Sequence, residues 1–357
     1  MNRKACSVIG LILAWMAFSS LVFAKSNSST ALSSSANPST YGSSVTFTAT
    51  VTPSAATGTV TFKDGSTTLG TGTLSSGKAT FSASTLAAGS HSITAAYGGD
   101  TNYNSSTSST LTQTVNKANT TVTLASSANP STYGASVTFT ATVSPSAATG
   151  TVTFNDGATT LGTGTLSSGK ATFSTSTLTA GSHSITAAYG GATNYNNSTS
   201  SALTQTVNKA NTTLTLASSK NPSTYGSSVT FTATVSPSAA TGTVTFKDGS
   251  TTLGTGPVSS GKATFTTSSL IAGSHSITGV YGGDTDYNTS TSSALTQTVN
   301  QGNHHRHSDF VVKPVSCWGD GHLHCYGLAL GGDGNSNLQG WKHYVGNRHS
   351  QQWDSYV

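Results

Sequence analysis

Glutamate is absent from all 357 residues, and charged side chains make up only 7% of the chain. Acid–base catalysis therefore has little to build on, and no paired carboxylates, nucleophile–base pair or phosphate loop can be read from the sequence. Cysteine is nearly as scarce: there are three, none of them between Lys25 and Asn300, and tryptophan is missing from the same stretch. The lysines are few and dispersed, without the basic stripe that nucleic-acid binding needs. Glu is absent and Met, Lys, Arg and Gln are few, while Thr, Ser, Val and Gly abound, which favours an all-β chain. After the first 24 residues no run is long and apolar enough to span a bilayer.

The N-terminus reads as an export signal. Met1–Lys4 is basic, Val8–Phe23 is largely apolar, and "VFA" ends at Ala24 as a small-residue cleavage site. A signal anchor is disfavoured, because the apolar run is short and broken by Ser19 and Ser20. Cys6 precedes the apolar core and so is not a lipobox cysteine. Residues 1–24 are thus expected to be removed, leaving a chain that is secreted or held at the cell surface. Without Arg3 and Lys4 the formal charge of +5 falls to 13 positive against 10 negative side chains.

Repeats decide the organisation. "NPSTYG" begins at Asn37, Asn129 and Asn221, a period of 92 residues, and "LTQTVN" begins at Leu111, Leu203 and Leu295. "SAATGTVTF" recurs in the same register from Ser54, Ser146 and Ser238. Three units follow, 25–116, 117–208 and 209–300, each of a size to fold as a domain. Short junctions such as Val115–Thr120 would set them end to end.

Within a unit the period is two. In "SVTFTATV" Val137, Phe139, Ala141 and Val143 share one face, with Ser and Thr on the other, which predicts a half-buried strand. "GTVTFNDGATTLGT" places Val152, Phe154 and Leu161 around Asn155-Asp156-Gly157, a hairpin whose glycine accepts positive φ. "KATFSTSTL" adds Phe173, "HSITAAYGG" adds Ile185, Ala187 and Tyr189, and "LTQTV" closes the unit. About seven short strands predict a two-sheet sandwich with these apolar residues in its core.

The blocks "NPSTYGSSVTFTATVTPS", "GTVTFKDGSTTLGTG", "GSHSITAAYGGDTNYNSSTS" and "LTQTVN", in that order, resemble the bacterial immunoglobulin-like repeat domain found in tandem in exported proteins. The resemblance covers Lys25–Asn300 in three copies. It implies an Ig-like β-sandwich, a surface or extracellular scaffolding role, and no catalytic residue or cofactor. Unlike antibody domains the units lack both the inter-sheet disulfide and the buried tryptophan, so sheet packing alone must hold them.

Few residues qualify as a site. Asp284 and Asp286 share the loop "YGGDTDYN", where they could contribute to a calcium site. The first unit keeps only Asp100 and the second has Ala192 in that slot, so a turn is the expected role. His91, His183 and His275 each follow "GS" and read as lone residues without partners. The loop-tip tyrosines Tyr103, Tyr195 and Tyr287 are the main aromatics on offer to a glycan.

From Gln301 the composition changes: seven of ten histidines, three of four tryptophans and two cysteines fall in 57 residues. In "CWGDGHLHCYG" Cys317, His322, His324 and Cys325 are residue types that bind zinc. The codons argue otherwise. Reading each from its second base lets residues 301–310, "QGNHHRHSDF", become Lys-Ala-Thr-Thr-Thr-Val-Thr-Leu-Thr-Ser, against "KANTTVTLAS" at Lys117. In the same frame "QGWKHYVG" reads "KDGSTTLG" and the match runs to Tyr356, so the tail resembles a frameshifted fourth repeat. Its cysteines and histidines were not placed for a metal, and residues 301–357 are expected to be disordered or poorly packed, because their hydrophobic pattern was set by another frame and glycines interrupt any element.

The sequence therefore predicts a non-enzymatic, monomeric, secreted or cell-surface repeat protein acting as a stalk or adhesin-type segment, with no metal or cofactor. The alternative is a module that binds a surface glycan or another extracellular protein through its loop tips. A secreted enzyme would need a catalytic domain beyond the frameshift. Nucleic acid is not a partner on this reading, and no membrane span remains once the signal is removed.

Overall fold

The computed structural model describes residues 24–302 and two further strands, Leu323–Gly327 and Lys342–Gly346. The expected signal peptide lies almost wholly outside the described residues, as do Cys317 and His322. Among the described residues no helix is long and apolar enough to cross a membrane.

Each repeat follows one plan. In the first, the strands are β1 (Ser29–Ser34), β2 (Ser39–Thr40), β3 (Val45–Thr52), β4 (Thr59–Asp64) and β5 (Thr67–Thr73). They continue as β6 (Lys78–Ala83), β7 (Gly89–Tyr97), β8 (Ser106–Thr107) and β9 (Leu111–Asn116). One sheet has the order β1-β3-β6, the other β2-β9-β7-β4-β5, with β8 added beside β7. The result is an all-β sandwich repeated three times. Two strands per repeat, the two-residue β2 and β8, are too short to register as a periodicity.

Alternation builds the core. Val45, Phe47, Ala49 and Val51 of β3 are buried while the residue after each is less so. Val60, Phe62, Ile93, Ala95 and Tyr97 of the facing sheet close over them. Phe62 stacks on Phe81 with centroids 5.8 Å apart. At this edge the sheets approach so closely that β5 must carry glycine. A Cβ on Gly70 would stand 2.3 Å from Phe81 Cε2, and one on Gly72 2.6 Å from the Thr80 carbonyl oxygen.

The hairpin turn falls one residue later than the sequence suggests. Asp156 still pairs with Thr159, leaving Gly157–Ala158 as the turn with Gly157 at φ 54°, and a bulge at Phe154/Asn155 absorbs the difference. Asp156 is thereby freed from the turn for another role.

The "NPSTYG" motif fastens the chain as it crosses between sheets. Asn37 copies a strand edge: its Nδ2 donates to the Thr112 carbonyl at 2.7 Å and its Oδ1 accepts the Thr114 N–H at 3.0 Å. Gln113 of β9, fully buried, donates from Nε2 to the carbonyls of Ala36 (2.9 Å) and Thr114 (3.0 Å) and to Ser39 Oγ (3.2 Å). Its Oε1 accepts from Ser34 Oγ at 2.7 Å. Beyond the crossing, β2 pairs parallel with β9 through Ser39–Val115 and Thr40–Asn116.

The two tail strands pair antiparallel, Leu323 opposite Gly346 and Gly327 opposite Lys342. The glycines around them leave room for this pair, within a tail expected to be disordered or poorly packed. Both are five-residue runs with Tyr326 in one and Tyr344-Val345 in the other, enough β propensity for a short pair but too short for a visible period. His324 and Cys325 are consecutive in the first of them.

Candidate functional site at the repeat junctions

The described chain falls into two compact units. One holds the chain to Asn211 together with the loop Gly283–Asn288, and the other holds Thr212–Gly282 and residues from Thr289 onward. Two features recur where a loop of one repeat meets its predecessor, a histidine–aspartate pair and a tyrosine pair, and an acidic loop is present in the first and third repeats.

The histidines are not lone, which corrects the sequence reading. The register of β4 on β7 sets Asp64 opposite Ile93, so a carboxylate 27 positions away in sequence reaches His91. His91 Nδ1 lies 2.6 Å from Asp64 Oδ2 and Nε2 lies 2.8 Å from the Ala87 carbonyl. His183 repeats this with Asp156 (2.7 Å) and Thr179 (2.9 Å), and His275 with Asp248 (2.6 Å) and Ile271 (2.8 Å). A ring can donate to a carboxylate and a carbonyl together only when both nitrogens carry protons.

At His91 and His183 burial pulls the pKa down, but the carbonyl, the carboxylate hydrogen bond and the carboxylate charge outweigh it, so the pKa is raised. At His275 the Ile271 carbonyl is the largest influence and the direction is the same. A raised histidine stabilises the fold fully below its unfolded pKa of 6.5, and that stabilisation is lost as pH climbs through the folded value. The melting temperature of the repeats is therefore expected to fall as the pH rises above the unfolded value of 6.5. Replacing His91, His183 and His275 together by glutamine should flatten that fall, and equal slopes in the two proteins would contradict the assignment. With both nitrogens engaged, the pair holds a loop and has no free nitrogen to take a substrate proton.

The acidic loop is shaped by its own backbone. Asp100 Oδ1 accepts the N–H groups of Asn102 and Tyr103, both at 2.8 Å, and Oδ2 accepts the Thr57 N–H at 2.8 Å and its Oγ1 at 2.9 Å. The Thr57 N–H foremost, with those of Asn102 and Tyr103, holds this carboxyl well below the usual carboxylate range. Asp284 Oδ1 accepts the Asp286 N–H at 2.9 Å and the Tyr287 N–H at 2.8 Å. Asp286 Oδ1 is engaged elsewhere, accepting the Ala180 N–H at 2.7 Å. No cluster able to hold a metal ion is present among the described residues.

Two of the three loop tyrosines are engaged by a neighbouring repeat. Tyr195 is 7% exposed and meets the ring of Tyr41, from the preceding repeat, edge-on at 5.5 Å. Tyr287 is 7% exposed and meets Tyr133 in the same way at 5.3 Å. Beside each pair runs one hydrogen bond: Ala88 N–H to Asn194 Oδ1 at 2.9 Å, and Ala180 N–H to Asp286 Oδ1. The Ala87–Ala88 peptide thus accepts from His91 at its carbonyl and donates to Asn194 at its N–H. The histidine pair and the junction are joined through one peptide group.

A profile of the bacterial Ig-like domain (group 3) matches residues 32–116, 123–208 and 215–300. The chain belongs to that family. No curated protein sequence matches it. Among solved structures it is similar to FdeC, an Escherichia coli adhesin, at 16% identity over 76% of this chain and 96% of that one, with a TM-score of 0.28. It is also similar to the fibronectin(III)-like modules of Clostridium thermocellum CbhA, at 19% identity over 52% and 99%, TM-score 0.23. A third likeness is to Bacteroides ovatus SGBP-B in complex with a mixed-linkage heptasaccharide, at 17% identity over 80% and 67%, TM-score 0.19. The family assignment rests on the profile match alone.

Sequence reasoning missed two parts of this Ig-like junction. Tyr41 and Tyr133 hide inside "NPSTYG", where their role depends on a neighbour about 154 positions on. The slot filled by Asn102, Asn194 and Asp286 carried a usable signal, since all three retain the Oδ1 acceptor.

Proposed function

We propose that this chain is a non-enzymatic protein of the cell exterior whose Ig-like repeats serve as a structural stalk or adhesin-type segment. The observation that carries the reading is the junction itself. Tyr195 and Asn194, and again Tyr287 and Asp286, spend their contact surface on the preceding repeat. Parallel pairing of β2 with β9 supports it, because tension on a repeat's ends loads those hydrogen bonds together in shear. The family and the export-type N-terminus support a secreted or surface location.

Spin labels on the exposed Thr73 and Thr165, with the native cysteines replaced by serine, test the junction. A narrow distance distribution is expected, broadened by Asn194→Ala with Tyr195→Ala. Equal widths before and after would contradict a stalk built on this joint. The second reading, a glycan- or protein-binding module, keeps one foothold in Tyr103, which is only half-buried. Glycan-array binding abolished by Tyr103→Ala would favour it.

A further inference from the structure

The end of the third repeat carries the same receiving surface as the first two. Tyr225 occupies the slot of Tyr41 and Tyr133, and Ala272 that of Ala88 and Ala180. Where those four are half-buried, Tyr225 is 53% exposed and Ala272 is exposed. Ile271, in the slot of Ala87 and Thr179, is 68% exposed and makes the rim more apolar than either earlier one. His275 holds the Ile271 carbonyl at 2.8 Å, so the Ile271–Ala272 peptide is fixed as in the occupied junctions.

We propose that Tyr225, Ile271 and the Ala272 N–H form a docking surface for a further repeat of this kind, joined after Asn300. Its loop would present a tyrosine preceded by Asn or Asp. The occupant is specified by two worked cases in the same chain: a tyrosine edge on the receiving tyrosine, and an Oδ1 on the receiving N–H. Codons that encode residues 301–356 can be chosen so that a one-base shift reads as the opening of such a repeat, with the loop falling further on. One ring contact and one hydrogen bond are too little to hold separate chains together. A covalently attached repeat presents its loop at an effective concentration on the order of millimolar, which favours the attached repeat over a second copy of the chain. The inference goes beyond the stalk reading and rests on the junction alone.

The test inserts a second copy of residues 117–208 between Asn300 and Gln301 of the full chain and follows amide exchange at Ala272 and iodination of Tyr225. Protection of Ala272 is expected to rise about tenfold, to the level of Ala88 and Ala180 in the same sample, with Tyr225 losing reactivity in step. The same insert carrying alanine at the positions of Asn194 and Tyr195 should leave both as exposed as in the native chain. A copy of residues 209–300 serves as the second insert. Failure of both folded inserts to protect Ala272 overturns the proposal, as does protection by the alanine insert. Protection already present in the native chain also overturns it: loss on deleting residues 303–357 would name the tail, and dependence on concentration a second chain. Exposed Ala88 and Ala180 would instead remove the junction, and the stalk reading with it.

Discussion

Replacing Phe154 by alanine is expected to lower the melting temperature of the second repeat by on the order of 20 °C, leaving the other two within a few degrees of native. Phe154 is fully buried and stacks on Phe173 at 5.8 Å. Truncating a phenylalanine in such a site costs about 3–5 kcal/mol, part of it from the cavity left behind. A domain of this size has roughly 5–14 kcal/mol in all, so the loss is a large share. The other repeats have their own Phe62 and Phe246 and share no sheet with the altered one. Calorimetry of the full chain should show one transition displaced downward. A uniform shift of the whole profile would mean that the repeats do not melt as separate units.

A loss of similar size is expected from Gln113→Ala, about 3–5 kcal/mol from the first repeat. The substitution removes the 2.7 Å acceptor of Ser34 Oγ and the donor to Ser39 Oγ and the Ala36 carbonyl, leaving the crossing segment to Asn37 and the β2–β9 pairing. Ser39 is itself buried, so its hydroxyl would lack a partner away from water. Gln113→Leu separates the causes, since it fills the space but restores no hydrogen bond. If leucine recovers native stability, the amide is a space filler; recovery of less than half is the expected result.

The strands were legible because they are two-sided. Val45, Phe47, Ala49 and Val51 alternate with threonine, and a period of two needs no partner to be seen. The same alternation in "LTQTV" places Gln113 on the core side with Val115, although a lone amide does not announce which carbonyls it will reach. The pairing of His91 with Asp64 was not legible, because it depends on the register of β4 against β7. The junction was hidden for a related reason: Tyr195 looks like an exposed loop tip until the neighbouring repeat is in place. The shift of the hairpin turn by one residue turned on the bulge beside Phe154, and the pattern "NDG" fits either register. Periodicity reveals a face, while contacts across strands and repeats need the fold.

Pulling single molecules of the full chain from its two ends tests most directly whether the repeats act as mechanical elements in series. Three unfolding events are expected, each releasing roughly 30 nm of chain, the length of 92 residues at about 3.3–3.6 Å apiece. Asn194→Ala with Tyr195→Ala should leave all three events in place, because the junction orders the repeats without holding their sheets. A single merged event, or events of unequal length that cross the repeat boundaries, would contradict the account.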